Sequence, residues 1–149
     1  MGTFLVFIHI LAVTAWLGAN VTQFVVTPAM QKTGGAPAAE WMRQVVRLGT
    51  RVYSPAAILI LVTGVWMVLR ESLYEFEQVF VTVGFVTVIV GMVLGMRVFG
   101  PGGRDVAALH DAGDEAAAGV AHKRLAMFGI VDTALVVLTI WMMVDKTGF

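Results

Sequence analysis

The sequence predicts an all-α integral membrane protein, an antiparallel four-helix transmembrane bundle with the N and C termini outside. Three observations carry that expectation. Hydrophobic residues make up 58% of the 149-residue chain and charged residues only 13%, against roughly 25% charged in an average soluble domain. The mean hydropathy is +0.85. Four apolar stretches, at about 3–27, 50–69, 78–97 and 123–144, reach or approach the ~18–20 residues that cross a bilayer core. Eight of the ten basic residues fall in or beside the first and third connections: Lys32, Arg43, Arg47 and Arg51, then Arg97, Arg104, Lys123 and Arg124. Only Arg70 and Lys146 remain for the opposite side, so the positive-inside rule puts those two connections in the cytoplasm.

The spans use nearly the whole chain, which leaves a single membrane domain over 1–149 and no separate soluble catalytic module. The absence of cysteine excludes disulfides, iron–sulfur clusters and thiolate-bound zinc. A formal net charge of zero gives no basis for nucleic-acid binding, and the partner implied by composition is the lipid bilayer. The first stretch has no charge before Lys32 and exceeds the ~7–15 residues of a signal-peptide core, so it reads as a retained helix.

In the first span, His9, Trp16, Asn20, Gln23 and Thr27 are spaced 7, 4, 3 and 4 apart. At 100° per residue they fall within about 40° of one line, a stripe that faces protein, cofactor or water rather than lipid. Pro28, Gly34, Gly35 and Pro37 are expected to break the chain, and a helical pattern resumes from Ala38 to Gly49. Arg43, Arg47 and Arg51 recur every fourth residue as one basic face. That face suits anionic lipid; alternatively Arg51 turns inward to a buried carboxylate or a cofactor's acid group.

The second span carries Pro55 near its start and a Thr63-Gly64 pair that marks a close contact. The third aligns Gly84, Thr87, Gly91 and Gly95, small residues that let backbones approach, within the bundle or in a homo-oligomer. Gly100-Pro101-Gly102-Gly103 is expected to end that helix, with Asp105 to His122 forming a short surface helix before the fourth span.

Asp132 lies in the fourth span, on one face with Thr139 and Met143 at spacings of 7 and 4. A carboxylate at that depth is costly and needs a partner. Matching depths at 1.5 Å per residue puts Asp132 level with Trp16, Leu17 and Asn20. The Trp16 indole or the Asn20 amide would then satisfy it, either as a helix clamp or as part of a proton or cofactor site.

His9 is the other costly residue, an imidazole about 9 Å into the core from the outer end. Ala12 and Val13 occupy the i+3 and i+4 places, so its own helix gives no second ligand, and His110 and His122 belong to the far side. Met67, Met142 and Met143, or His9 of a second subunit, are the candidates for a partner. A lone imidazole is a poor zinc site. It suits haem iron, Cu(I) with thioether, or a histidine that only hydrogen-bonds between helices.

The segment Phe7-Ile8-His9-Ile10-Leu11 followed by Ala15-Trp16-Leu17-Gly18 resembles the first helix of a superfamily of small bacterial four-span membrane proteins. The group contains the DUF2269 proteins, the membrane domain of CopD-type copper-resistance proteins and the HemJ-type protoporphyrinogen oxidases, with DUF2269 the nearest. Arg47 and Arg51 at the entry to the second helix, Thr63-Gly64, and the closing Met142-Met143 fit the same pattern. The resemblance implies haem b with His9 as axial ligand. The chain departs from the oxidases over Gln23 to Met30, so porphyrinogen oxidation is not implied. Two functions follow as expectations. One is a small cytochrome b-like electron-transfer protein, or a haem-dependent membrane oxidoreductase if it is an enzyme; Trp16, Asn20, Asp132 and Met143 would tune the pocket and Arg51 would supply charge. The other is copper handling, or a structural non-redox subunit of a larger respiratory-type membrane complex.

Overall fold

The computed structural model describes residues 2–70 and 75–145. Its elements are α1 (Gly2–Thr33), α2 (Gly35–Leu48), α3 (Ser54–Arg70), α4 (Val79–Leu94), α5 (Gly100–Asp111) and α6 (Glu115–Asp145). A π-helical turn, Gly49–Tyr53, joins α2 to α3, and a second, Gly95–Phe99, joins α4 to α5. Four continuous helices result: Gly2–Thr33, Gly35–Arg70, Val79–Asp111 and Glu115–Asp145, each long and apolar enough to cross a membrane. Each packs on its neighbours in sequence and α6 closes on α1, making a four-helix bundle. Phe7, Ile10, Leu59, Ile89 and Ile130 stand exposed around its outside. A belt of that size needs lipid rather than water against it, so the chain is a multi-pass membrane protein. The end holding the connections at Gly34 and Gly113 is the basic end; the other is the terminal end. Lys146, assigned by sequence to the terminal side, lies outside the described residues.

The helices run further at the basic end than the sequence predicts. Pro28 sits inside α1, and the first break falls at Gly34-Gly35, with φ of 67° and 56° that only glycine adopts easily. Gly100 to Gly103 do not end the third helix, and Asp105 to His122 is not a separate surface helix. Asp105 to Asp111 complete α5, and α6 begins at Glu115 after a turn through Gly113. Tertiary packing overrides the poor helix propensity of glycine here. Val106 and Ala107 bury against Met42 of α2 as a second small core, and a Cβ on Gly103 would come 2.6 Å from Val46 Cγ2. Arg43 ties the same pair of helices by a 2.8 Å bond to Asp111.

Both π turns lie in the same seven-residue pattern, Gly-x-Arg-Val-aromatic-x-Pro, at Gly49–Pro55 and at Gly95–Pro101. Proline has no N–H, so a proline inside a helix leaves the carbonyl one turn back without its donor. Each π turn closes by an i to i+5 step just ahead of its proline: Gly49 O accepts from the Ser54 N–H and Gly95 O from the Gly100 N–H. The proline that sequence rules treat as a stop is thereby carried through a continuous helix twice.

Inside the membrane portion the core is Ala12, Trp16, Ala56, Ala57, Ile60, Val88 and Val136. One large ring among small side chains needs a slot. Gly91 provides it, since a Cβ there would stand 2.5 Å from Trp16 Cζ2. Gly84 likewise makes room for Met143, whose Cε would be 2.7 Å from an added Cβ. The small-residue face of the third helix thus serves packing inside this bundle.

Candidate functional site

Asp132 is met by the two donors that depth matching selects. Its Oδ2 accepts from Trp16 Nε1 at 3.2 Å and from Asn20 Nδ2 at 3.0 Å. All three residues are buried, so the stripe on α1 and the carboxylate on α6 satisfy each other. The network continues beyond the sequence expectation. Asn20 also donates to Thr133 Oγ1 at 2.9 Å, Tyr53 Oη donates to Asn20 Oδ1 at 2.5 Å, and Gln23 Nε2 donates to Tyr53 Oη at 2.6 Å. The Tyr53 ring meets Trp16 edge-on, with centroids 5.5 Å apart and planes at 85°. Asp132 Oδ1 accepts none of these bonds.

His9 sits in the terminal half, buried against α3. Its Nδ1 lies 2.8 Å from Thr63 Oγ1. The Thr63 hydroxyl already donates to Leu59 O, so Nδ1–H is the donor and Nε2 keeps the lone pair. The ring's Cε1 passes 3.8 Å from where a Gly64 Cβ would be, so the Thr63-Gly64 pair is the close contact its composition suggests. Thr87 and Thr139 bridge α4 and α6 at the same level, their hydroxyls 2.8 Å apart.

Two cavities flank this polar line. The smaller, about 40 Å³, is bordered by His9, Thr87, Thr139, Gly84 and Met143. The larger, about 600 Å³, fills the basic half. Asp132, Asn20, Gln23 and Tyr53 form its deep end; Arg104 and His122 stand on its wall near the basic end, with Met42, Met92 and Met96 around it. Both π turns face it through Gly49 and Tyr53 and through Gly95 and Phe99. Trp16 borders both cavities, so its indole is the partition between them.

The structure thus brings Trp16, Asn20 and Asp132 into one cluster and puts His9 with Met143 in another. Arg51 joins neither: it is exposed on the bundle's outside and lines no cavity. Tyr53 and His122 are the site residues that sequence reasoning passed over, while Gln23 stood on its stripe without a partner assigned. The doubled Gly-x-Arg-Val-aromatic-x-Pro pattern was the signal for Tyr53. His122 lines the large chamber, and its Nδ1 is buried without a hydrogen-bond partner.

Among the described residues no group of three or more His, Cys, Asp or Glu could hold a metal ion. A haem does not fit beside His9, because about 40 Å³ admits a water or two. The 600 Å³ chamber lies in the range of ligand and cofactor pockets, roughly 300–1,000 Å³ with apolar walls and few polar groups. There the chain offers the His122 imidazole and three methionine thioethers to an iron and Arg104 to an acid group. Comparison with protein-family models, with curated proteins and with solved structures gives no match.

Proposed function

We propose that the protein is a membrane electron-transfer protein whose redox ligand sits in the chamber of the basic half. The observation that carries this reading is the chamber itself, about 600 Å³ of apolar space with a polar network at one end and an unpaired imidazole at the other. A largely apolar pocket of that size with a few polar groups at its end has the form of a ligand site. Haem b, the cofactor implied by the resemblance to the DUF2269 group, would supply one-electron storage there, held by His122 or a methionine and by Arg104. In this reading His9 is not the axial ligand. The distribution of basic residues supports placing the basic end in the cytoplasm and both termini outside.

Absorption spectra of detergent-solubilised protein before and after dithionite, with haem and quinone content measured on extracts, test the proposal. A redox difference spectrum or an extractable redox ligand is expected. Gly129→Leu should remove it, because Gly129 lines the chamber and an added Cβ meets nothing within 4 Å. If the ligand is haem, His122→Ala lowers its content and His9→Ala does not; if it is a quinone, both variants keep it. Protein purified from native membranes with neither haem nor quinone would end the redox reading.

One observation favours a second reading, copper at the terminal half. His9 Nε2 carries the lone pair, Met143 borders the same 40 Å³ cavity, and imidazole with thioether suits Cu(I). Competition for Cu(I) with a chromogenic chelator tests it: binding that persists in both His9→Ala and Met143→Leu excludes this pair.

A further inference from the structure

Asp132 is only 5% exposed, and its two oxygens are treated differently. Oδ2 takes both donors that reach the carboxyl, while Oδ1 takes none, and Asp132 lines the chamber. Among the described residues none donates to Oδ1, and the polar groups nearest to it are engaged elsewhere. The Trp16 N–H is committed to Oδ2, the Asn20 amide to Oδ2 and Thr133, the Tyr53 hydroxyl to Asn20, and the Gln23 amide to Tyr53. A carboxyl oxygen beside a cavity, with no protein donor, can take one from whatever fills the space next to it. That donor arrives among aromatic side chains, since Trp16, Tyr53 and Phe99 all line the chamber and ring faces and edges pack well on a flat head. The chamber also borders lipid. Phe24, Ile58 and Met96 line it and are exposed on the bundle's outside, so an apolar tail can leave sideways while the head stays at Asp132.

We propose that the deep end of the chamber receives the head of a lipid-soluble dihydroxy-aromatic molecule, a quinol, whose hydroxyl donates to Asp132 Oδ1. This rests on the reading of the chamber as a ligand site and names the ligand class. An oxidised quinone presents only acceptors and would set its carbonyl against the carboxyl oxygen, so the site selects the reduced form.

The test is equilibrium binding to the full chain in lipid nanodiscs with three short-tailed probes: a hydroquinone, its quinone, and its dimethyl ether. The hydroquinone should bind at least about tenfold more tightly than either of the others, the range expected for a hydrogen bond to an acidic group. Asp132→Asn should reverse the order. The Trp16 and Asn20 donors will hold the new amide's oxygen where Oδ2 was, which turns its NH₂ toward the chamber and favours the quinone. Gly129→Leu should weaken all three.

The proposal is overturned if wild-type protein binds hydroquinone and dimethyl ether equally, or binds neither. It is also overturned if folded Asp132→Asn keeps the original order, or if the chamber proves filled by haem. The three-probe comparison on wild type needs no variant to fold. Equal binding that Gly129→Leu abolishes would leave the chamber as a ligand site and remove only the quinol assignment.

Discussion

On the terminal side of Trp16 the helices close on His9 until about 40 Å³ is left; on the basic side the same four helices enclose about 600 Å³. Both halves are apolar, so hydrophobicity does not separate them. Side-chain volume and backbone form do. The terminal half fills its middle with Ile60, Val88, Val136, Ile140 and Met143. The basic half lines its middle with Gly49, Gly91, Gly95, Gly103 and Gly129, and its walls carry both π turns. A membrane bundle gains stability from close packing because lipid offers no hydrophobic drive between helices. The open half therefore gives up packing that the closed half keeps, and this is the expected signature of a site.

The comparison breaks most sharply at the partition. Gly91→Ala should lower stability by about 1–3 kcal/mol, the usual cost of overpacking. Its Cβ would stand 2.5 Å from Trp16 Cζ2 and 3.1 Å from Asp132 Oδ1. Gly95→Ala, four residues on and facing open chamber, should cost nothing measurable. Unfolding midpoints of the two variants in one detergent give the contrast, and equal midpoints would contradict the partition.

Next in size is Asp132→Ala. It leaves the Trp16 and Asn20 donors buried without their acceptor, at a cost of about 1–3 kcal/mol. Trp16→Phe should recover part of that loss in the double variant, because one stranded donor goes with it. A double-mutant cycle on unfolding free energies reads the coupling; strict additivity would say that the bond carries no energy.

Thr63→Val probes the closed half and should be milder, about 0.6–1 kcal/mol, the range for hydrogen bonds between membrane helices. It removes the acceptor of the His9 N–H without changing side-chain volume much. Ligand content in the chamber should stay at the wild-type level in this variant, since Trp16 stands between. A loss of ligand there would mean that the two halves are not independent.

The smallest effect concerns the far basic end, ahead of the span at 123–144. Glu115 accepts the Gly35 N–H at 2.8 Å and meets His110 Nδ1 at 2.8 Å. These bonds, the Gly35 N–H first, hold its carboxyl below the usual 4.5. Its contribution to stability is therefore present above that value and lost as pH falls through its lower, folded-state value. An unfolding midpoint that drops slightly below about pH 4.5 in wild type, and less so in Glu115→Gln, is expected.

Much of this was legible in the sequence. The stripe from His9 to Thr27 states which side of α1 faces inward, because a period near 3.6 survives any packing detail. Helical rise alone paired Asp132 with Trp16 and Asn20, since two antiparallel helices of known rise leave little freedom in depth. The helix ends were not legible. Pro28, Pro55 and Pro101 and the Gly100–Gly103 run are breakers by local rules, and only the contacts of α5 with α2 and the π re-pairing show why they do not break anything here. Nor was the chamber visible. His9 drew attention as the costly residue, whereas the open space was made by glycines, which carry no chemistry of their own, and by Tyr53 at a position whose face depends on the π turn before it.

Each π turn amounts to an ordinary helix with one residue too many. Removing a single residue from Gly49–Tyr53 would let α2 and α3 run on as one regular helix, so the bulge and the stretch of wall it carries would go while the helix beyond kept its register. The same holds independently for Gly95–Phe99. The width of the interior is therefore written in chain length at two places, and a lineage could open or shut it by a one-codon insertion or deletion without altering a single apolar side chain.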